Sequence, residues 1–164
     1  MRVAIVSDTH LPRGSRRLPE PCVERLRDAD AILHCGDVST AAVLEWLEAL
    51  GPPVHAVQGN VDDDVLHERL PDWRVVELGA ARIGMVHIPG PARGRFERLK
   101  LLFPDAQAAI FGHTHMPQHE AREGFQIFNP GSPTERRRAP ARTMGLATVQ
   151  DGAITFALLA LSSL

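Results

Sequence analysis

The sequence predicts an α/β fold, a four-layer αββα sandwich of two packed mixed β-sheets flanked by helices. Three observations predict it. Short apolar runs alternate with amphipathic stretches through the first half, the pattern of parallel βαβ units. The second half is richer in strand signals separated by tight turns, so it reads as largely antiparallel. No linker, repeat or low-complexity stretch interrupts the 164 residues, and that length suits one domain over 1–164.

Arg2–Ser7 reads as a buried strand because Val3-Ala4-Ile5-Val6 is continuously apolar and ends in a polar cluster. Pro19–Ala29 reads as a helix, with Cys22, Val23, Leu26 and Ala29 along one side. Ala31–His34 is a second buried strand. Thr40 is the expected N-cap of a helix running to Leu50, whose Val43, Leu44, Leu47 and Leu50 face inward. Gly51-Pro52-Pro53 stops it, and Val54–Val57 is a third strand. The acidic run Asp62-Asp63-Asp64 reads as a helix start, where carboxylates suit the helix dipole. Arg74–Leu78 and Ala81–His87 form strands joined at Gly79-Ala80. Arg95–Phe103 is a short helix closed by Pro104, and Ala108–Phe111 is a buried strand. Gln118–Arg122 pairs with Phe125–Phe128, and Thr143–Val149 with Ala153–Leu161 across Asp151-Gly152.

Composition narrows the function. Hydrophobic residues make up 44% and charged residues 23%, which excludes a disordered chain. Lysine plus arginine (18) against aspartate plus glutamate (20) leaves a net charge of −2, so no global basic footprint favours nucleic acid. Trp46 and Trp73 alone make no aromatic platform for it. Cys22 and Cys35 cannot build a disulfide framework, the Met1–Val6 start meets Ser7-Asp8 too soon for a signal peptide, and the Ile154–Leu164 tail is too short to span a bilayer. The expectation is a cytoplasmic, non-membrane protein.

Eight histidines stand against no tyrosine, and histidine is the commonest metal ligand and physiological acid or base. Five polar clusters fall at the carboxyl ends of predicted strands: Asp8-Thr9-His10, Gly36-Asp37, Gly59-Asn60, His87 and Gly112-His113-Thr114-His115. Ligands bind at that edge of α/β sheets. The donors are Asp8, His10, Asp37, Asn60, His87, His113 and His115, more than one closed zinc site of about four ligands can use. They suit two metals about 3.5–4 Å apart sharing a carboxylate, the arrangement for in-line displacement at phosphorus. In extended backbone, Asp8 and His10 point to one side, as do His113 and His115, so each pair can reach one metal region. Mixed imidazole, carboxylate and amide donors suit Mn, Fe, Zn, Co or Ni.

At these residues the chain resembles the calcineurin-like metallophosphoesterase superfamily from end to end, and Asn129-Pro130-Gly131-Ser132 is similar to its small YfcE-like prokaryotic phosphodiesterase branch. The resemblance implies the αββα fold and two divalent metal ions, manganese first. One metal would take Asp8, His10, Asp37 and His115; the other would take Asp37, Asn60, His87 and His113, with Asp37 bridging. It implies hydrolysis of a phosphoester, foremost a phosphodiester, by in-line attack of a metal-bridging hydroxide. Phosphomonoesterase, nucleotide pyrophosphohydrolase and a scaffold like the retromer subunit stand as alternatives. The implied partner is a small phosphoester or nucleotide substrate, with no membrane, nucleic acid disfavoured and oligomerisation open. Where many members carry a histidine after Gly-Asn this chain has Val61, and His87 is followed by Ile88-Pro89-Gly90 rather than Gly-His.

Outside these clusters the expectations are blander. His34 reads as a core or supporting histidine, Cys35 as core, and His55, His67 and His119 as surface or packing residues. Arg13, Arg16 and Arg17, Arg93 and Arg95, and Arg136 to Arg138 follow the motifs and read as rim loops, either solvated or phosphate-binding. Asn129 and Ser132 set loop shape near the site.

Overall fold

The computed structural model describes residues 1–161; residues 162–164 of the apolar tail lie outside the described residues. The first half runs β1 (Arg2–Val6), α1 (Glu20–Arg27), β2 (Ala31–His34), α2 (Ala41–Glu48), β3 (Val54–Ala56) and α3 (Asp64–Arg69). The second runs β4 (Trp73–Leu78), β5 (Ala81–Val86), α4 (Arg95–Leu102), β6 (Ala108–Ile110), β7 (Gln118–Arg122), β8 (Phe125–Asn129), β9 (Arg142–Gln150) and β10 (Ala153–Leu161). One five-stranded sheet has the order β10-β9-β1-β2-β3 and the other β4-β5-β6-β8-β7. The expected αββα sandwich is the fold observed.

Strand β1 shows why its sequence is continuously apolar. Val3 and Ile5 point into the layer between the sheets, where they meet Leu33, Ile83, Met85, Ile110 and Phe128. Ala4 and Val6 point the other way, beneath Cys22, Val23 and Leu26 of α1 and Leu47 of α2. A central strand covered on both faces has no polar side to show. On the far side α4 presses Phe96, Leu99 and Phe103 onto Ala109, Phe111 and Ile127. Helix, sheet, sheet and helix are the four layers. No helix among the described residues is long and apolar enough to cross a membrane.

Two local expectations are corrected. The centre of the second sheet is parallel, since β6 runs parallel to both β5 and β8. Helix α4 is the crossover that makes β5 and β6 parallel, and β7 and β8 then pair as a hairpin at the edge. At α2 the Thr40 side chain makes no capping hydrogen bond. Asp63 does that job: its Oδ2 accepts from Ala41 N at 3.2 Å while its Oδ1 accepts from Leu66 N at 2.9 Å, tying the starts of α2 and α3 together.

The parallel strands matter for placement. β1, β2 and β3 run parallel in one sheet, and β5 and β6 in the other. All five polar clusters follow the carboxyl ends of these strands, at one edge of the sandwich.

Candidate metal centre

The seven sequence-predicted donors meet at that edge. They fall into two groups whose ligand atoms lie close together, Asp8 with His10 and His115, and Asp37 with His87 and His113. Asn60 joins the second group, its Oδ1 standing 3.0 Å from both His87 Nε2 and His113 Nδ1. Asp37 stands between the groups: its Oδ2 is 3.2 Å from His87 Nε2 and 3.6 Å from His10 Nε2.

The backbone carries these side chains in an unusual way. Asp8, His10, Asp37, His113 and His115 all have positive φ, at 55°, 45°, 57°, 68° and 59°. Non-glycine residues pay for this left-handed conformation, and such strain gathers at functional sites. It also replaces the extended backbone expected at both pairs, although Asp8 and His10 still fall in one group. His113 and His115 do not serve one region; the chain turns between them, and each joins a different group. Close packing of the loops explains two of the glycines. A Cβ on Gly59 would strike the Asp37 backbone and carboxylate, and one on Gly112 would strike the Ser7 hydroxyl.

Hydrogen bonds fix which atoms face inward. Asp8 Oδ2 is held by the chain, accepting from Ser7 Oγ at 2.6 Å and His113 N at 3.0 Å. Its Oδ1 is buried with no hydrogen-bond partner, 3.3 Å from His115 Nε2. His115 Nδ1 donates to Glu135 O at 2.6 Å, and His87 Nδ1 donates to Cys35 O at 2.7 Å. Each neutral ring therefore turns its Nε2 lone pair toward carboxylate oxygens. The His10 and His115 Nε2 atoms also face each other at 3.2 Å. Lone pairs collected this way repel unless a cation stands among them. The orphaned Asp8 oxygen and the mixed donor set fit divalent cations of the Mn, Fe, Co, Ni and Zn group.

The electrostatics agree. Burial works against ionisation of Asp8, yet the neighbouring His10 and His115 rings, with His87, hold its carboxyl far below the ordinary carboxylate range. Burial likewise opposes the charge on Asp37, and His87 outweighs it and keeps that carboxyl low. In return the His87 and His115 pKa values are raised: burial disfavours their cations, but Asp37 and Asp8 respectively overcome it. Without metal, protons stand where cations would. His113, chilled by burial and by the neighbouring His87 charge, is lowered.

Around this set lies a supporting layer. His34 is fully buried, its Nδ1 accepting from Gly36 N at 3.2 Å and its Nε2 paired with Thr9 Oγ1 at 3.1 Å; burial brings its pKa down to about 4, so it stays neutral, as a core histidine should. Cys35 is buried core. Asn129 holds the Gly112 carbonyl and Thr114 hydroxyl, and Ser132 Oγ donates to Asp8 O at 2.8 Å, so both shape loops as expected. The acidic run starts a helix only from Asp63 on, and Asp62 does other work. Its carboxylate is buried and accepts from Gly59 N at 2.6 Å and Ser39 N at 2.7 Å, bracing the loops of Asn60 and Asp37. Its signal in the sequence is only its place three residues after Gly59. Burial raises its pKa despite those two hydrogen bonds.

The arginine loops divide. Arg13, Arg16 and Arg137 converge on Glu135, at 3.7, 3.3 and 3.9 Å, beside the carbonyl that orients His115. Arg95 is not a rim residue. It is half-buried, bonded to Gln118 and the Gly90 carbonyl and lying over Phe111, because helix α4 turns it inward. Arg136 bonds the Ala139 carbonyl.

A two-sheet sandwich with paired imidazole and carboxylate groups at its carboxyl edge defines a class of metallophosphoesterases. The calcineurin-like phosphoesterase superfamily domain matches residues 1–152, and the chain belongs to that family. It is 36% identical over 148 residues to a probable metallophosphoesterase of Methanothermobacter thermautotrophicus, covering 89% of this chain and 85% of the relative. The zinc complex of Entamoeba histolytica Vps29 superposes with a TM-score of 0.77 at 23% identity, covering 99% of this chain and 100% of Vps29. An archaeal phosphodiesterase does so with a TM-score of 0.70 at 23% identity, covering 97% and 100%.

Proposed function

We propose that this chain is a two-metal phosphodiesterase, with Asp8, His10, Asp37 and His115 holding one divalent ion and Asp37, Asn60, His87 and His113 the other. The observation that carries the reading is the buried, unpartnered Asp8 Oδ1 facing histidine nitrogens whose other ring atoms are already bonded. A buried carboxylate oxygen without a partner is costly, and a bound cation would offset that cost. When bound, the two cations lower the pKa of water and neutralise charge on phosphoryl oxygens.

The chain's own residues supply the rest. The carbonyls of Cys35 and Glu135 orient the His87 and His115 rings, and Ser7 and the His113 amide hold Asp8 in one rotamer. Exposed Asn60 and half-exposed His113 form the open side, where a phosphoester enters. The likeness in fold to an archaeal phosphodiesterase supports the diester, and small phosphodiesters or nucleotides are the substrate class. Manganese is the first metal to try, with zinc next because Entamoeba Vps29 binds it. Free, buried Cys22 and Cys35 suit the reducing cytoplasm.

The test is hydrolysis of bis(4-nitrophenyl) phosphate by chelator-stripped protein with and without manganese. Metal-dependent turnover is expected. Metal binding without turnover on this diester or on 4-nitrophenyl phosphate would overturn the enzyme reading in favour of a metal-binding scaffold.

A further inference from the structure

Beside the second ligand group lies a cavity of about 260 Å³. Asn60 and His87 line it, and so do His67, Asp72 and Ile88. It adjoins the open side of the site, because two of the proposed ligands form part of its wall. Departure of an alkoxide from phosphorus requires a proton at the leaving oxygen, or the product anion is too basic to leave quickly. On the loop carrying Asn60, Val61 has no polar side chain, and its N–H is already given to Asp37 Oδ1 at 3.0 Å. The cavity wall offers another place for a donor.

His67 is built for this. It is an exposed residue in the last turn of α3. Its Nδ1 is bonded to Gln58 Oε1. Gln58 is itself anchored, its Nε2 donating to Leu70 O at 3.0 Å and its backbone N to Pro71 O at 3.0 Å. Because the Gln58 amide nitrogen is committed to Leu70, its oxygen accepts and the His67 Nδ1 carries a proton. The ring is therefore oriented by a fixed partner, and Nε2 has no hydrogen-bond partner among the described residues. Of the other side chains lining the cavity, Asp72 is the acidic one and His87 belongs to the ligand set.

We propose that this cavity is the leaving-group subsite and that His67 protonates the leaving oxygen, an inference that rests on the phosphodiesterase reading above. In the step, an oxygen from water bonds to phosphorus and the bond from phosphorus to the leaving oxygen breaks. The electron pair of that bond takes the His67 Nε2 proton, giving the free alcohol. The proton lost by the water goes to solvent, and the neutral ring regains one from solvent. The consequence is a preference for alkyl phosphodiesters, whose alcohols need a proton, over what the metals alone would allow.

The test compares the manganese-loaded parent with His67→Gln on methyl phosphodiesters bearing 4-nitrophenyl, phenyl and alkyl leaving groups. The loss in kcat is expected to grow along the series, from a few-fold on 4-nitrophenyl to about 100-fold on alkyl. Gln58→Leu should show the same trend more weakly. Metal stoichiometry measured by calorimetry should match the parent in both variants. In the zinc-loaded parent, addition of inorganic phosphate should shift the His67 ring signals in histidine NMR. An equal loss on every leaving group, or unmoved His67 signals, overturns the proton-donor assignment and leaves the phosphodiesterase reading standing. Absence of turnover in the metal-loaded parent overturns both.

Discussion

The two halves of the metal centre are built differently. The Asp8–His10–His115 half is the more covered: Asp8 and His115 are fully buried, His10 is only partly so, and the loop from Ser132 to Glu135 lies over them, with Ser132 and Thr134 bonded to the Asp8 and Thr9 carbonyls. The Asp37–His87–His113 half is open. Asp37 and His87 are buried, but His113 is half-exposed, Asn60 is exposed, and the His67 cavity begins there. The difference teaches a division of labour. A more covered half would hold its cation with less competition from water, and a half with an exposed amide would leave coordination sites for substrate.

The largest effect should come from the residue common to both halves. Asp37→Asn is expected to remove both cations and lower kcat/KM by roughly a thousandfold or more, since each ion contributes several kcal/mol. Metal analysis together with turnover checks it, and retention of two cations would break the bridging assignment.

Next come the braces, which should act on one half each. Ser132→Ala frees the Asp8 carbonyl and should weaken the closed half, while Asp62→Asn loosens Gly59 and Ser39 and should weaken the open half. About 10–100-fold in metal affinity is expected for each, as for other partners of metal ligands. Two-step calorimetric titrations read the halves separately. Loss from both steps in either variant would show the halves to be one unit.

The pH dependence follows from the raised His87 and His115 pKa values. Metal must displace the protons they hold, so affinity rises with pH until it passes their folded values, and binding releases protons. For the metal-free protein the sign reverses. A histidine raised on folding contributes stability that is full below its ordinary value near 6.5 and is lost as pH climbs through the folded one. Calorimetry in buffers of different ionisation enthalpy measures the released protons, and pH-independent affinity would contradict the shifts.

The smallest effect belongs to the open side. Val61, about half exposed, can be replaced by histidine with little change in stability. Val61→His should raise turnover a few-fold on alkyl phosphodiesters and hardly at all on nitrophenyl ones. A uniform loss on both would count against a shortage of proton donors at that loop.

Much of the centre was readable before folding. Each donor follows an apolar run that becomes a parallel strand, and the carboxyl ends of such strands share an edge. What resisted reading was anything set by contacts between distant segments. The spacing of His113 and His115 suggests one shared region, and only left-handed backbone at both sends them to different groups. The acidic run at 62–64 looks like a uniform helix start, yet Asp62 braces two loops and Asp63 caps two helices, because Ser39 and Ala41 arrive from elsewhere in the chain. Arg95 looks like a free rim charge and is a packed one. His67 reads as a surface residue and is exposed, and only the meeting of α3 with the end of β5 brings it to a cavity that His87 also lines.

By itself, then, the sequence determined the strand and helix order, the edge where function gathers and the chemical types gathered there, because periodicity and donor chemistry are local properties. The tertiary structure decided how closely those donors approach one another, which carboxylate oxygen is left unpartnered and which half of the site is more open. Those depend on distances between residues far apart in the chain, and such distances exist only once both sheets have closed on their common core.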